Sequence, residues 1–221
     1  MSASTPLSGL HAAALPERVT LEGRYCRLEP VRPQHAEDLF EATTDDDGSR
    51  YRWLLSEPPV SVAEMRQRIE AAMQKSDPLT FAVIDRASGR ALGQQTLMRI
   101  EPKDGVIEIG GVLWGRGAAR TRLATEALYL FAHYVFDDLG YRRFEWKCNN
   151  GNEASKRAAQ RFGFTHEGIF RQHMIVKGQN RDTAWFSMLD GEWPEMRKRF
   201  ETWLEPANFD AEGRQVRKLG Q

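Results

Sequence analysis

Between Val106 and Phe136 the chain reads VIEIGGVLW, then GRGAARTRLA, then TEALYLFAHYVF: an apolar strand, a loop of small residues and arginines, and a helix. A strand that stops at a glycine- and alanine-rich loop, with a helix starting at once, is a way to build an anion site. The first helical turn carries unpaired backbone N–H groups and the positive end of the helix dipole. Arg116, Arg120 and Arg122 add fixed positive charges within the same few residues. The stretch predicts a phosphate-bearing cofactor at this loop, with the rest of the chain arranged around it.

The 221 residues suit one domain with modest extensions. Residues 1–18 read as a flexible arm and residues 205–221 as a polar tail, leaving 19–204 as the folded unit. Lys+Arg and Asp+Glu both number 31, so the chain lacks the basic excess of a nucleic-acid or membrane-surface binder. Cys26 and Cys148 lie far apart with no CxxC spacing, which points to a reduced protein. No targeting segment or membrane span is evident, so the expected location is cytoplasmic. No His or Cys spacing supports a metal.

In chain order, Val19–Val31 alternates as a strand, and Pro33 opens a short helix that ends at the Thr44–Gly48 turn. RYRWLL is a second helical piece, stopped by Pro58 and Pro59. Ser61 and Glu64 form a capping box for a helix reaching about Lys75. Leu79–Asp85 and Ala91–Glu101 form a hairpin, and Lys103–Gly105 turns into the strand at Val106. The central helix spans Thr121–Asp138, with Leu123, Ala127, Leu128, Phe131 and Val135 as its buried stripe. A strand Arg142–Cys148 and a helix Glu153–Phe162, stopped by Gly163, follow. Two strands, Thr165–Val176 and Asp182–Leu189, joined by a KGQN turn, precede a terminal helix Trp193–Leu204. The order predicts an α/β (α+β) fold, with a mixed, mostly antiparallel central sheet and helices on both faces. Exposed strand edges leave a homodimer open.

The element order, the TEA at the start of the central helix, and the run NEASKRAAQRFGF followed by EG resemble the GNAT superfamily of acyl-CoA N-acyltransferases. The resemblance covers roughly Val19–Trp193 and is nearest to the ribosomal-protein N-terminal acetyltransferases (RimJ/RimL type). It implies acetyl-CoA as cosubstrate and an amine as acceptor. In that family a Gln/Arg-x-x-Gly-x-Gly/Ala loop holds the CoA pyrophosphate through backbone N–H groups. The matching positions here are Ala119, Arg120, Thr121, Arg122, Leu123 and Ala124, and only Ala124 fits. Arg120 or Arg122 is expected to compensate as a direct phosphate partner. Leu113 and Trp114, at the end of the preceding strand, match the segment that pairs with the pantetheine arm. Gly110-Gly111 would allow a bulge or splay that opens a slot for the thioester. Thr125 and Asn152 complete the implied cofactor contacts. Ser155 is implied as the acid for the leaving thiolate and Glu167 as the general base. The tyrosine that serves many relatives as acid would fall at Ala159.

Acyl transfer to an amine needs a neutral amine, a polarised carbonyl and a protonated leaving group. An α-amine near pKa 7.7–8 is neutral for roughly a tenth of molecules at pH 7, so one carboxylate suffices as base. Set against these roles are plain structural ones. Glu167 could be a solvated carboxylate or an ion-pair partner, and Ser155 a first-turn serine bonded to backbone. The candidate acceptor wall comprises Asp46 in the acidic run, Tyr51, Trp53 and His173, the last also an alternative base. No cysteine stands in a nucleophile's setting, so direct attack is expected. The acceptor is expected to be a protein N-terminal α-amine. A small-molecule amine (antibiotic, nucleotide-like toxin or polyamine) and a non-catalytic CoA-binding module are the alternatives.

Overall fold

The computed structural model describes residues 12–44 and 48–219. Eight strands form one sheet in the order β1-β2-β3-β4-β5-β6-β8-β7. They are β1 Leu21–Glu22, β2 Cys26–Pro30, β3 Leu79–Asp85, β4 Ala91–Glu101, β5 Val106–Trp114, β6 Arg143–Asn149, β7 Thr165–Val176 and β8 Gln179–Leu189. Every neighbouring pair is antiparallel except β5 and β6. A parallel pair needs a crossover, and the central helix supplies it.

Helices α1 (Ala36–Thr43) and α2 (Val62–Met73) pack on one face of the sheet, with Val31, Ala82, Ile84 and Ala91 beneath them. On the other face, α3 (Arg122–His133), α4 (Glu153–Arg161) and α5 (Trp193–Trp203) cover the main core. Phe81, Phe131, Phe144, Phe186 and Phe200 are fully buried there. The expected mixed sheet with helices on both faces is the observed fold.

Several expected elements differ in detail. The strand Val19–Val31 is broken into β1 and β2 by a tight turn at residues 23–25, held from outside by the buried carboxylate of Glu126 on α3. Its Oε1 accepts from the Arg24 amide at 2.7 Å, and its Oε2 from the amides of Tyr25 (2.7 Å) and Cys26 (2.6 Å). RYRWLL is a single 3-10 turn, Ser49–Tyr51, followed by bends, because Tyr51 is anchored in the core. The last turn of the central helix, Tyr134–Asp138, widens to π geometry. Strand β8 starts earlier than expected, since Lys177 (φ 51°) and Gly178 (φ 72°) make a two-residue hairpin turn.

The segments flanking the domain touch it. Ala13 is buried, and the amides of Ala13 and Ala14 donate to the carbonyls of Pro102 and Leu139. After α5 the chain forms a 3-10 turn, Pro206–Asn208, and Phe209 packs edge-on against Trp203 with ring centroids 5.0 Å apart.

Candidate active site

Strands β5 and β6 are paired only from Val106↔Arg143 to Ile109↔Trp146. Beyond that point they part, so Gly110–Trp114 has no strand on its β6 side. The cause lies on the opposite edge of β5. Between Gln94 and Thr96 on β4 the register shifts, and Gly111 takes φ +55°, a bulge that turns the strand. Thr96 Oγ1 fixes the bulge by donating to the Gly110 carbonyl at 2.7 Å. Gly111 is required by its positive φ, and a Cβ on Gly110 would displace the end of the Met98 side chain. The bulge that Gly110-Gly111 predicts is present, and beyond it the backbone of Leu113 and Trp114 runs along the gap where β5 and β6 are no longer paired.

The loop after β5 turns back at Gly115, whose notional Cβ would be 2.3 Å from the Ala42 carbonyl oxygen. Thr121 caps α3, its Oγ1 accepting from the Leu123 amide at 3.2 Å. Among the described residues, the amides of Arg120, Arg122 and Ala124 meet no backbone acceptor. These donors converge at the positive end of α3, so the residues present suit a pyrophosphate. The left-handed residue of this loop is Arg120, at φ 62°. Its side chain is exposed at the loop. Arg122, the other expected phosphate partner, lies instead over the rings of Tyr25 (4.3 Å) and Phe209 (5.5 Å). The side chain of Thr125 is buried and accepts from Arg161 Nη1 at 3.0 Å. Arg161 was not singled out from the sequence; it brings a positive charge to the first turn of α3, with its guanidinium over the rings of Phe162 and Trp203, and its packing there lowers its pKa.

Helix α4 begins where β6 leaves β5. Asn152 is its cap, with Oδ1 accepting from the Ser155 amide at 3.1 Å. Ser155 Oγ accepts from the Trp146 indole Nε1 at 2.9 Å. That bond occupies a lone pair of the oxygen, and the hydroxyl proton is the one it can donate, with the Cys148 thiol as its neighbour in this structure.

Glu167 stands differently. Its carboxylate accepts from both terminal nitrogens of Arg143, at 2.8 Å for Nη1, and from Ser187 Oγ at 2.7 Å. The Arg143 contact pulls its pKa down to about 2, a poor base for an ammonium proton. Arg143 also lies at the start of β6, at the paired end rather than the open end. In this structure the carboxylate expected as general base is engaged in an ion pair with Arg143. Glu167→Gln should leave turnover nearly unchanged. The carboxyl pKa is depressed in the folded state, so its stabilisation is present above about pH 4.5 and lost as pH falls toward about 2. Partial exposure of the side chain limits the effect to about 1 kcal/mol. Denaturant melts of wild type and variant should differ at pH 7 and converge near pH 2.

A buried carboxylate adjoins the bulge: Glu108, on β5 two residues before Gly110, is only 6% exposed, with Arg99 Nε 3.5 Å from its Oε2. Its Oε1 lies 3.6 Å from where a Cβ on Gly110 would be. Lys147 on β6 reaches Glu108 Oε2 at 2.9 Å and Glu145 Oε2 at 2.7 Å, with its ammonium 3.7 Å from the Trp185 ring centroid. Burial raises the pKa of Glu108, and Lys147 opposes that shift. The sequence carried one signal for it, an acidic residue inside the otherwise apolar VIEIGG.

Of the expected acceptor residues, Trp53 borders a cavity of about 340 Å³ at the open end of β6. Tyr51 does not; it is buried, with its hydroxyl 3.3 Å from Thr43 Oγ1. Its aromatic ring completes the core under the 3-10 turn. His173 is exposed on β7, its Nδ1 2.9 Å from Thr183 Oγ1 and its ring edge-on to Phe170. Asp46 lies outside the described residues. No group of His, Cys, Asp and Glu among the described residues could hold a metal ion, and no described helix is long and apolar enough to cross a membrane.

This architecture has known counterparts. A GCN5-related N-acetyltransferase from Brucella melitensis superposes with a TM-score of 0.93 at 53% identity, covering 96% of this chain and 97% of that one. A probable acetyltransferase of the GNAT family from Chromobacterium violaceum ATCC 12472 gives 0.82 at 38% identity, over 88% and 98% of the two chains. A Bacillus subtilis protein provisionally named a ribosomal N-acetyltransferase is 27% identical over 172 residues, 74% of this chain and 90% of its own. The acetyltransferase (GNAT) domain profile matches residues 26–165. More than half the chain, including the bulged strand, the α3 loop and α4, falls within that match, and the protein is a member of the GNAT family of N-acetyltransferases.

Proposed function

We propose that the chain transfers acetyl from acetyl-CoA to a primary amine by direct attack, with a peptide N-terminal α-amine as the preferred acceptor. The observation that carries this reading is the gap between β5 and β6, with Ser155 at its α4 side and Glu108 just below its bulge. The amides of Arg120, Arg122 and Ala124 would hold the pyrophosphate, with the Arg120 side chain as an added partner. Arg161 is a further charge within reach of the first turn of α3. The backbone of Gly110–Leu113, which has no strand on its β6 side, would pair with the pantetheine amides, while the Trp114 carbonyl is held by Arg50 Nη1 at 3.0 Å. Acetyl-CoA, when bound, supplies an activated acetyl thioester.

Within this frame the residues divide the proton work. Glu108, buried and of raised pKa, takes the proton that the amine sheds as its nitrogen bonds to the carbonyl carbon. Ser155 gives its hydroxyl proton to sulfur as the C–S bond breaks, and the Trp146 indole keeps its oxygen in place. A covalent acyl-enzyme is disfavoured. Cys26 and Cys148 are both buried with raised thiol pKa values, and the thiolate is the reactive form. A provisional ribosomal acetyltransferase among the relatives agrees with the RimJ/RimL-like reading of the acceptor. Buried, unpaired thiols are compatible with a reducing compartment and so support the cytoplasmic reading.

The first test is binding. Acetyl-CoA at a hundredfold excess over its Kd should stabilise the fold by about 2.7 kcal/mol. That corresponds to a rise in Tm of roughly 5–10 °C for a chain of this size. No shift at millimolar acetyl-CoA would remove the cofactor assignment.

A further inference from the structure

The cavity beside Trp53 is lined by Arg52, Lys177 and Arg181 together with Asn149, Val176, Gln179 and Asn180, and by no carboxylate among the described residues. Lys177 has a counter-ion, Glu57 at 3.0 Å, and donates to the Tyr51 carbonyl at 2.9 Å. Arg52 lies over the Trp53 ring at 4.8 Å, with no carboxylate in contact among the described residues. Arg181 is the anomaly. It is half-buried, its Nε is shielded from solvent without a hydrogen-bond partner, and burial lowers its pKa. The neighbouring Asp182 does not answer it, because its carboxylate is taken by the Gln172 amide (2.7 Å) and Asn180 Nδ2 (2.9 Å). The Glu108 carboxylate acts on it only through space, with no ion-pair contact; a guanidinium cannot shed its charge in a protein, so a half-buried one with no anion in contact stands at a free-energy cost that a bound anion would relieve.

The position of the cavity gives that anion a role. Asn149 is the last residue of β6, and Trp53 packs on Gly151 in the turn that leads to Ser155. Asn149 and Arg181 also lie on the sheet face that carries Glu108 and Lys147, as the strand registers require. We propose that this cavity binds an anionic group of the acceptor, a carboxylate or phosphate close to the amine that is acetylated, with Arg181 as its principal partner and Arg52 and Lys177 as flanking charges. The inference rests on the N-acetyltransferase reading above and specifies its substrate class: acidic acceptors over neutral or basic ones.

The test is a charge-matched acceptor panel with the full-length protein. Peptides beginning Ser-Glu-Glu, Ser-Gln-Gln and Ser-Lys-Lys are compared, and phosphoethanolamine with ethanolamine. The peptide and small-molecule arms separate the two sources of the anion. In wild type the acidic member of a series should exceed its neutral analogue in kcat/KM by roughly 10- to 100-fold, mainly through KM. That advantage should shrink as salt rises. Arg181→Met should bring the acidic-to-neutral ratio close to one, Arg181→Lys should restore part of it, and Arg199→Met on α5 should not change it. Equal wild-type rates for acidic, neutral and basic acceptors overturn the inference and leave the acetyltransferase reading standing. If no amine is acetylated, that reading fails. Binding of N-acetyl-Ser-Glu-Glu-Ala, followed by tryptophan fluorescence, then decides the cavity: saturable binding that Arg181→Met abolishes supports the inference, and its absence overturns it. Arg181→Lys keeps the comparison available if the Met variant does not fold.

Discussion

Glu126→Ala is expected to destabilise the fold by about 3 kcal/mol, through the desolvation of backbone donors left without a partner. One carboxylate accepts from three consecutive amides, those of Arg24, Tyr25 and Cys26, and so fastens the β1–β2 turn to the middle of α3. Gly23 belongs to the same fit, since a Cβ there would lie 2.6 Å from Glu126 Oε2 and 2.7 Å from the Cys26 carbonyl oxygen. Tm should fall by roughly 6–12 °C. Glu126→Gln should sit between the two, because its amide nitrogen would face a donor where Glu offers a second acceptor. Thermal melts at pH 7 measure this; a change below about 2 °C for Ala would mean that water takes over all three amides.

Glu108→Gln is expected to lower kcat by about a hundredfold, the usual contribution of a positioned general base. Acetyl-CoA affinity should stay within about twofold, because Gln keeps the shape and the acceptor oxygen that faces Lys147. The pH profile separates loss of the base from a packing defect. In wild type, kcat/KM should rise with pH on an acid limb displaced above the ordinary carboxylate range, because burial raises the Glu108 pKa. That limb should vanish in the Gln variant. A variant with wild-type turnover and an unchanged acid limb would transfer the role elsewhere, with His173 the next residue to replace.

Much of the fold was legible in the sequence, for reasons that can be read off particular residues. Strands β3, β4, β5 and β7 have the bounds expected from their apolar runs and turn residues; of the expected Ser61–Glu64 capping box the Ser half forms, with Ser61 Oγ accepting from the Glu64 amide at 3.2 Å, while Glu64 Oε2 accepts from the Val60 amide at 2.8 Å instead of that of Ser61. The bulge was anticipated from Gly110-Gly111, because a φ near +55° is costly for any residue with a Cβ. What was not legible depended on contacts distant in sequence. Val19–Val31 alternates like one strand, yet Glu126 lies a hundred residues from Cys26 and decides where it breaks. Glu167 matched a family motif, but its partner Arg143 is separated from it by 24 residues and by the register of β6, β8 and β7. Glu108 became visible as a candidate only when β5 and β6 paired, bringing Lys147 and Glu145 against it. Local pattern fixed elements; charge partnership across strands assigned the titratable groups.

The central claim, direct amine-dependent transfer at the β5–β6 slot, is tested most directly by mass spectrometry of both acceptor and enzyme during CoA thiol release. With acetyl-CoA and the Ser-Glu-Glu peptide, thiol release should require the amine, match the acetylated peptide mole for mole, and leave the protein unmodified. Acetyl found on Cys148 or another residue of the chain before transfer, or thiol release that ignores the amine, would contradict the account.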